Sequence, residues 1–249
     1  MRNKYFRITL FFVLQIIFFF LFVFYLCQNE LFVVSQPKKN ISIFCFVKTF
    51  SAHFRTLTKE SYEHCFRHCT DYRLVTVFDK STLSLPYKFL HPKNWYKEDY
   101  QNLTPKMYNG LLAIGELPLF DWYLIADDDS FVNMKNLFSF LSTKNKNKPI
   151  MYGHHLERRP GFLSGGGSLA ISQMAFRLLI EKLAKNMSAC PDTHEGRDDL
   201  DLSRCLQSVG VRIGDSRDEY GLERFHSKDF NSQFFGPIDI GFSAHKQYV

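Results

Sequence analysis

The sequence predicts an α/β domain with a mostly parallel sheet, carried behind a membrane-spanning helix. Short apolar runs that read as buried strands alternate with helical patterns, and those helical patterns open on capping residues. An uncharged stretch of about twenty residues, long enough to span a bilayer, precedes them all. The chain has 249 residues, of which 45% are hydrophobic, 16% aromatic and 22% charged. That balance suits one globular domain and excludes a disordered or collagen-like chain.

In chain order, residues 1–7 form a short basic tail with Arg2, Lys4 and Arg7. Ile8–Cys27 then reads ITLFFVLQIIFFFLFVFYLC, with Gln15 as its single amide. As a helix, that length crosses a hydrocarbon core of about 30 Å. The run ends without a small-residue cleavage pattern, which favours a retained anchor over a removed signal. Cations before the span and Glu30 after it keep the N-terminus cytosolic and send the body to the lumen, a type II topology. Residues 28–40 are a polar stem carrying Pro37, and residues 41–249 are the lumenal domain.

The net charge of +6 first suggests an acidic partner such as nucleic acid. Residues 1–39 hold five cations and one anion, which leaves the 210 residues behind them at only +2. A nucleic-acid partner is therefore excluded, and the excess charge reads as a membrane address. A lumenal body agrees with two further features. Asn40, Asn102 and Asn186 head N-x-S/T acceptors. Beyond Cys27, five cysteines (Cys45, Cys65, Cys69, Cys190, Cys205) have spacings unlike a zinc framework. They read as disulfides with at least one thiol left over.

Within the domain, Ile41–Val47, Arg73–Phe78 and Trp122–Ala126 read as buried strands, being short, apolar and rich in branched or aromatic residues. Thr104 as a cap with Pro105 at the first helical position opens one helix. Asn133 opens a second over MKNLFSFL, and Ser172 opens a third over QMAFRLLIEKLAK. No internal repeat and no second boundary is visible, so one domain is expected.

The strand at Trp122 runs straight into Asp127, Asp128 and Asp129. Adjacent carboxylates at the end of a hydrophobic strand repel one another, which suggests a bound cation. If the backbone stays extended, Asp127 and Asp129 face one side as hard oxygen ligands for Mg²⁺ or Mn²⁺, and Asp128 faces the other. The alternative is a solvated turn in which Asp129 or Ser130 caps the next helix.

DWYLIADDDSFV resembles the metal-binding strand of the inverting β1,3-glycosyltransferases, which include the core 1 and Fringe enzymes. The blocks that follow are similar in the same order: YGHHL at 152–156, GFLSGGGSLAIS at 161–172, Cys190, RDDLDLSRC at 197–205 and VRIGDSRDEYGLERFH at 211–226. The likeness is greatest to the core 1 group. It implies a GT-A fold, a Rossmann-like mixed sheet flanked by helices, and a single-pass Golgi or ER–Golgi membrane protein.

The family's roles carry over by position. Asp127 and Asp129 match the pair that holds Mn²⁺ against the diphosphate of a UDP-sugar, with Asp128 between them. Asp199 matches the catalytic base, and Asp198 is the fallback. Gly165, Gly166 and Gly167 look like a loop that approaches the donor sugar; on their own they read as a turn before the helix capped by Ser172. Cys45–Cys69 and Cys190–Cys205 match paired cysteines, leaving Cys65.

This chain departs from the family pattern in four places. Asp198 replaces glutamate, Ser203 replaces glycine, the C-terminus is short for the family, and GFSAHKQYV matches the family's metal-binding histidine segment only loosely. His245 is the expected third metal ligand and His226 the alternative. The implied reaction moves galactose from UDP-galactose to the 3-hydroxyl of GalNAc-α-Ser/Thr on a glycoprotein acceptor. Alternatives are a Fringe-like β1,3-N-acetylglucosaminyltransferase or a catalytically inactive lumenal relative, and a homodimer is compatible with either.

Overall fold

A computed structural model describes residues 40–93, 98–156 and 161–228. The span at 8–27 and its flanks lie outside the described residues. Among the described residues, no helix is long and apolar enough to cross a membrane.

Among the described residues, seven strands form one sheet: β1 (Ile43–Lys48), β2 (Asp71–Val75), β3 (Phe89–Leu90), β4 (Trp122–Asp127), β5 (Ile150–Leu156), β6 (Phe162–Ser172) and β7 (Arg212–Ile213). Their order is β3-β2-β1-β4-β6-β5-β7. The pairs β2–β3, β1–β2, β1–β4 and β5–β7 are parallel, and β6 runs antiparallel to both neighbours. The sheet is thus mixed and mostly parallel, as the alternation of strands and helices predicts. From β1 the order steps one way to β2 and β3 and the other way to β4, so a crevice opens at the carboxyl ends of β1 and β4.

All six residues of β1 are buried, since helices cover both faces of the sheet. On one face Phe44, Phe46, Tyr123 and Ile125 pack with helices α2 (Leu103–Ile114), α4 (Gln173–Asn186) and α5 (Asp198–Ser208). On the other, Cys45, Val47, Trp122 and Leu124 pack with α3 (Met134–Ser142) and the segment after α1 (Leu57–His64). Alternate residues of each strand serve opposite layers, and each large side chain buried this way contributes about 2 kcal/mol.

Asn133 and Ser172 cap α3 and α4 as predicted, accepting from the N–H groups of Asn136 and Ala175, each at 3.1 Å. Two expectations shift. Strand β2 begins earlier than 73, where Asp71 pairs with Phe44, and ends before 78, where Glu98 accepts from Thr76 Oγ1 (3.0 Å) and the Val77 N–H (2.6 Å). Thr104 is not the cap of α2: that helix starts at Leu103, and the Thr104 hydroxyl donates instead to Asp201 Oδ2 at 2.9 Å.

Asp201 is fully buried, and the same oxygen also accepts from the Thr193 N–H (2.9 Å) and hydroxyl (3.1 Å). It fastens the start of α2 and the segment before α5 to α5 itself. Asp201→Ala would leave those donors unpaired in the interior, so a loss of about 3 kcal/mol is expected in denaturant unfolding. A loss below about 1 kcal/mol would show that Asp201 does not pin these elements.

Disulfides join Cys45 to Cys69 and Cys190 to Cys205, the pairs the resemblance implies, and Cys65 is a buried thiol. Its Sγ accepts from the Val132 N–H at 3.2 Å, and burial pushes its pKa up. Ser203, where the family motif has glycine, is fully buried and accepts from the Leu163 N–H at 3.1 Å, docking α5 on β6.

Candidate active site

At the crevice beyond β1 and β4 lies a cavity of about 840 Å³. It gathers residues that are far apart in sequence. Lys48, Thr49, Phe50 and His53 come from β1 and the turn after it, and Asp127, Asp128 and Asp129 come from β4. Gly165 and Gly166 come from β6, and Asp198 and Asp199 from the first turn of α5.

Asp128 turns away from Asp127, as strand alternation predicts. Asp128 is buried, and its carboxylate accepts from Thr49 Oγ1 (2.6 Å) and Thr58 Oγ1 (3.0 Å), with His53 Nδ1 3.1 Å from each oxygen. Ser61 donates its hydroxyl to the Asp128 carbonyl. Asp128 therefore anchors α1 and the β1 turn to the end of β4. The extension ends there, because Ser130 N–H bonds the Asp127 carbonyl at 3.1 Å and closes a turn. Asp127 remains at the cavity with its side chain 35% exposed, and Asp129 is exposed beside it.

Lys48 pairs with Asp127 across the β1–β4 register. Its ammonium lies 2.9 Å from Asp127 Oδ1 and is hydrogen-bonded to Asp198 Oδ2. Burial opposes charge on Lys48, but Asp127 and Asp198 together reverse that effect and hold its pKa well above the usual lysine value. Burial raises the Asp127 carboxyl pKa, and the attraction of Lys48 offsets only part of the rise. A second buried ammonium, Lys106, bonds the Thr49 carbonyl and sits 2.7 Å from Glu98 Oε2. Burial pushes its pKa down, against the pull of Glu98.

The two candidate bases have different surroundings. Asp198 is buried and committed to Lys48. Asp199 is half-buried and faces the cavity, with Oδ2 accepting from the Gly165 N–H at 2.8 Å and Oδ1 from the Leu200 N–H at 2.7 Å. Each of its oxygens keeps a lone pair for a further donor.

Gly165, Gly166 and Gly167 lie inside β6, neither in a turn nor in a free loop. The β5–β6 register jumps from Gly153↔Leu169 to His154↔Ser164, so residues 165–168 bulge out of the ladder. A Cβ on Gly165 would stand 3.1 Å from that of Asp199. One on Gly166 would meet the Ser227 carbonyl at 2.9 Å, and one on Gly167 the His226 carbonyl at 3.1 Å. The bulge thus admits α5 on one side and the 226–227 segment on the other.

Among the described residues, no group of three His, Cys, Asp or Glu side chains is placed to hold a metal ion. His226 accordingly does not complete such a group with Asp127 and Asp129, and burial pushes its imidazole pKa down. His245 lies outside the described residues. Lys48, His53, Lys106 and Asp201 were not singled out in the sequence. The one available signal was a charge, Lys48, closing an otherwise apolar strand.

Residues 94–173 match the galactosyltransferase family model. The chain is 33% identical over 199 residues to glycoprotein-N-acetylgalactosamine 3-beta-galactosyltransferase 1 of Xenopus laevis, covering 78% of this chain and 52% of that protein. It is 26% identical over 106 residues to human chondroitin sulfate synthase 3, covering 38% of this chain and 12% of the relative. The chain thus spans about half the length of the first relative and much less of the second. A solved glycosyltransferase involved in glycosylation of the major capsid of PBCV-1 aligns over 70% of this chain and 80% of its own, at TM-score 0.40 and 14% identity.

Proposed function

From the premise that residues 94–173 belong to the galactosyltransferase family, we propose that this chain is an inverting glycosyltransferase of GT-A type. It transfers galactose from UDP-galactose to the 3-hydroxyl of GalNAc-α-Ser/Thr in a glycoprotein. The observation that carries the reading is the convergence of Asp127, Asp129 and Asp199 on one cavity at the carboxyl ends of β1 and β4. The donor and acceptor follow from the Xenopus relative's name and from the motifs shared with the core 1 group. The chain acts in the lumen of the secretory pathway, anchored by residues 8–27.

Asp199 would act as the base. Its carboxylate is fixed by the Gly165 and Leu200 N–H groups and can accept the proton of an acceptor hydroxyl. The freed oxygen attacks the anomeric carbon of the sugar from the face opposite UDP, and UDP leaves with the bonding electron pair. One base on the attacking side suffices for inversion. Asp198 is held by Lys48 and supports the start of the same helix.

Asp127 and Asp129 suit a small divalent cation in their chemistry: two hard carboxylates at the cavity, with Asp129 exposed and making no protein hydrogen bond among the described residues. They would hold Mn²⁺, which when bound acts as a Lewis acid on the departing diphosphate. The cavity is large enough for a nucleotide-sugar, since ligand sites of this kind run to about 300–1,000 Å³.

A screen of UDP-sugars with Mn²⁺ and a GalNAc-threonine peptide, read as UDP release, tests the reading. Turnover with UDP-galactose is expected. Folded protein that turns over no UDP-sugar would refute it.

A further inference from the structure

We propose that Lys48 is a built-in counter-cation: it occupies the inner oxygen of Asp127, keeps the divalent-cation site weak in the empty enzyme, and makes metal binding depend on the nucleotide diphosphate. The role rests on the glycosyltransferase reading and adds a positioning residue that the reading does not contain.

Three observations support it. Lys48 is only 6% exposed, so its ammonium is a fixed charge of the interior and not a side chain free to swing toward solvent. It touches two carboxylates of the cavity, Asp127 Oδ1 at 2.9 Å and Asp198 Oδ2, and those residues belong to different halves of the proposed machinery. No third His, Cys, Asp or Glu joins Asp127 and Asp129 among the described residues. A divalent ion arriving in the empty cavity therefore meets one carboxylate whose inner oxygen is already neutralised, one exposed carboxylate, and the repulsion of a nearby ammonium. A diphosphate supplies the missing negative charge and oxygen ligands, so metal and nucleotide bind with positive coupling, which by linkage is the same for both. The bridge also fixes the Asp127 carboxylate relative to the first residue of α5, and so relative to Asp199.

The test is a calorimetric matrix of Mn²⁺ alone, UDP alone, and each in the presence of the other, run on wild type, Lys48→Met and Lys48→Arg. Wild type should bind Mn²⁺ weakly by itself and at least about tenfold more tightly with UDP. Lys48→Met should bind Mn²⁺ alone at least about tenfold more tightly than wild type and show weaker coupling to UDP. Lys48→Arg, which keeps the charge, should behave like wild type. A merely structural role would not raise metal affinity.

Lys48→Met leaves Asp198 buried without its partner and is at risk of misfolding. The double variant Lys48→Met/Asp198→Asn removes both charges and should also bind Mn²⁺ alone more tightly than wild type. Wild type that binds both ligands, with Mn²⁺ affinity unchanged in the folded single or double variant, overturns the role of Lys48 and leaves the function standing. Wild type that binds neither ligand overturns both.

Discussion

Asp199→Asn is expected to lower kcat for sugar transfer about a thousandfold while leaving UDP affinity and thermal stability close to wild type. The amide is the same size as the carboxylate, and its oxygen can still accept the Gly165 N–H that now reaches Asp199 Oδ2; only the half-exposed bond from the Leu200 N–H at the helix start is given up. What it cannot do is take a proton from the acceptor. Steady-state kinetics with saturating UDP-galactose, beside calorimetry with UDP, separate lost chemistry from lost binding. The neighbouring Asp198→Asn variant should behave differently, because Asp198 is a buried partner of Lys48 and its loss should appear first in stability. If Asp198→Asn abolishes transfer in a stable protein while Asp199→Asn remains active, the two roles are exchanged.

Asp129→Ala is expected to cut kcat/KM about a thousandfold and abolish the gain in UDP affinity on adding Mn²⁺. The residue is exposed, so folding should be unaffected. Asp128→Ala makes the contrast. That carboxylate is turned toward Thr49, His53 and Thr58, so its removal should loosen α1 and lower the melting temperature. An Asp129→Ala protein that keeps Mn²⁺-enhanced UDP binding would remove Asp129 from the metal site.

The layers of the fold were legible because β1 and β4 are continuous apolar runs and because Asn133 and Ser172 cap the helices that follow β4 and β6. Strands β5 and β6 were harder to see. YGHHL and SGGGS are polar or glycine-rich; YGHHL is held in strand geometry by pairing with β6, and SGGGS is mostly the bulge between the paired residues 162–164 and 169–172, so neither is marked by propensity. In the site, the turning of Asp128 away from Asp127 followed from the two-residue period of a strand, whereas Asp129 lies in the turn beyond β4. The partners of Asp128 could not be found that way, since Thr49, His53 and Thr58 reach it only after β1 and β4 are side by side. Lys48 shows the same limit: its two carboxylates lie 79 and 150 residues further along the chain. Thr104 misled because a threonine before a proline is a good cap in isolation, and the buried Asp201 outcompeted that use.

The position of β6 bears on how the domain folds. Strand β4 can pair with β1 once residue 127 is available, but its other edge has no partner until the chain reaches 169–172. A nascent chain halted between those points would present the apolar edge of β4 as a template for another strand. The Lys48–Asp198 bridge closes later still, so until residue 198 is made Lys48 has only Asp127 as its partner. Contacts of this span make folding slow and expose intermediates. The late antiparallel strand thus acts as an edge guard, and mutations that weaken its docking should reduce yield through aggregation of incomplete chains before they reduce the activity of those that finish.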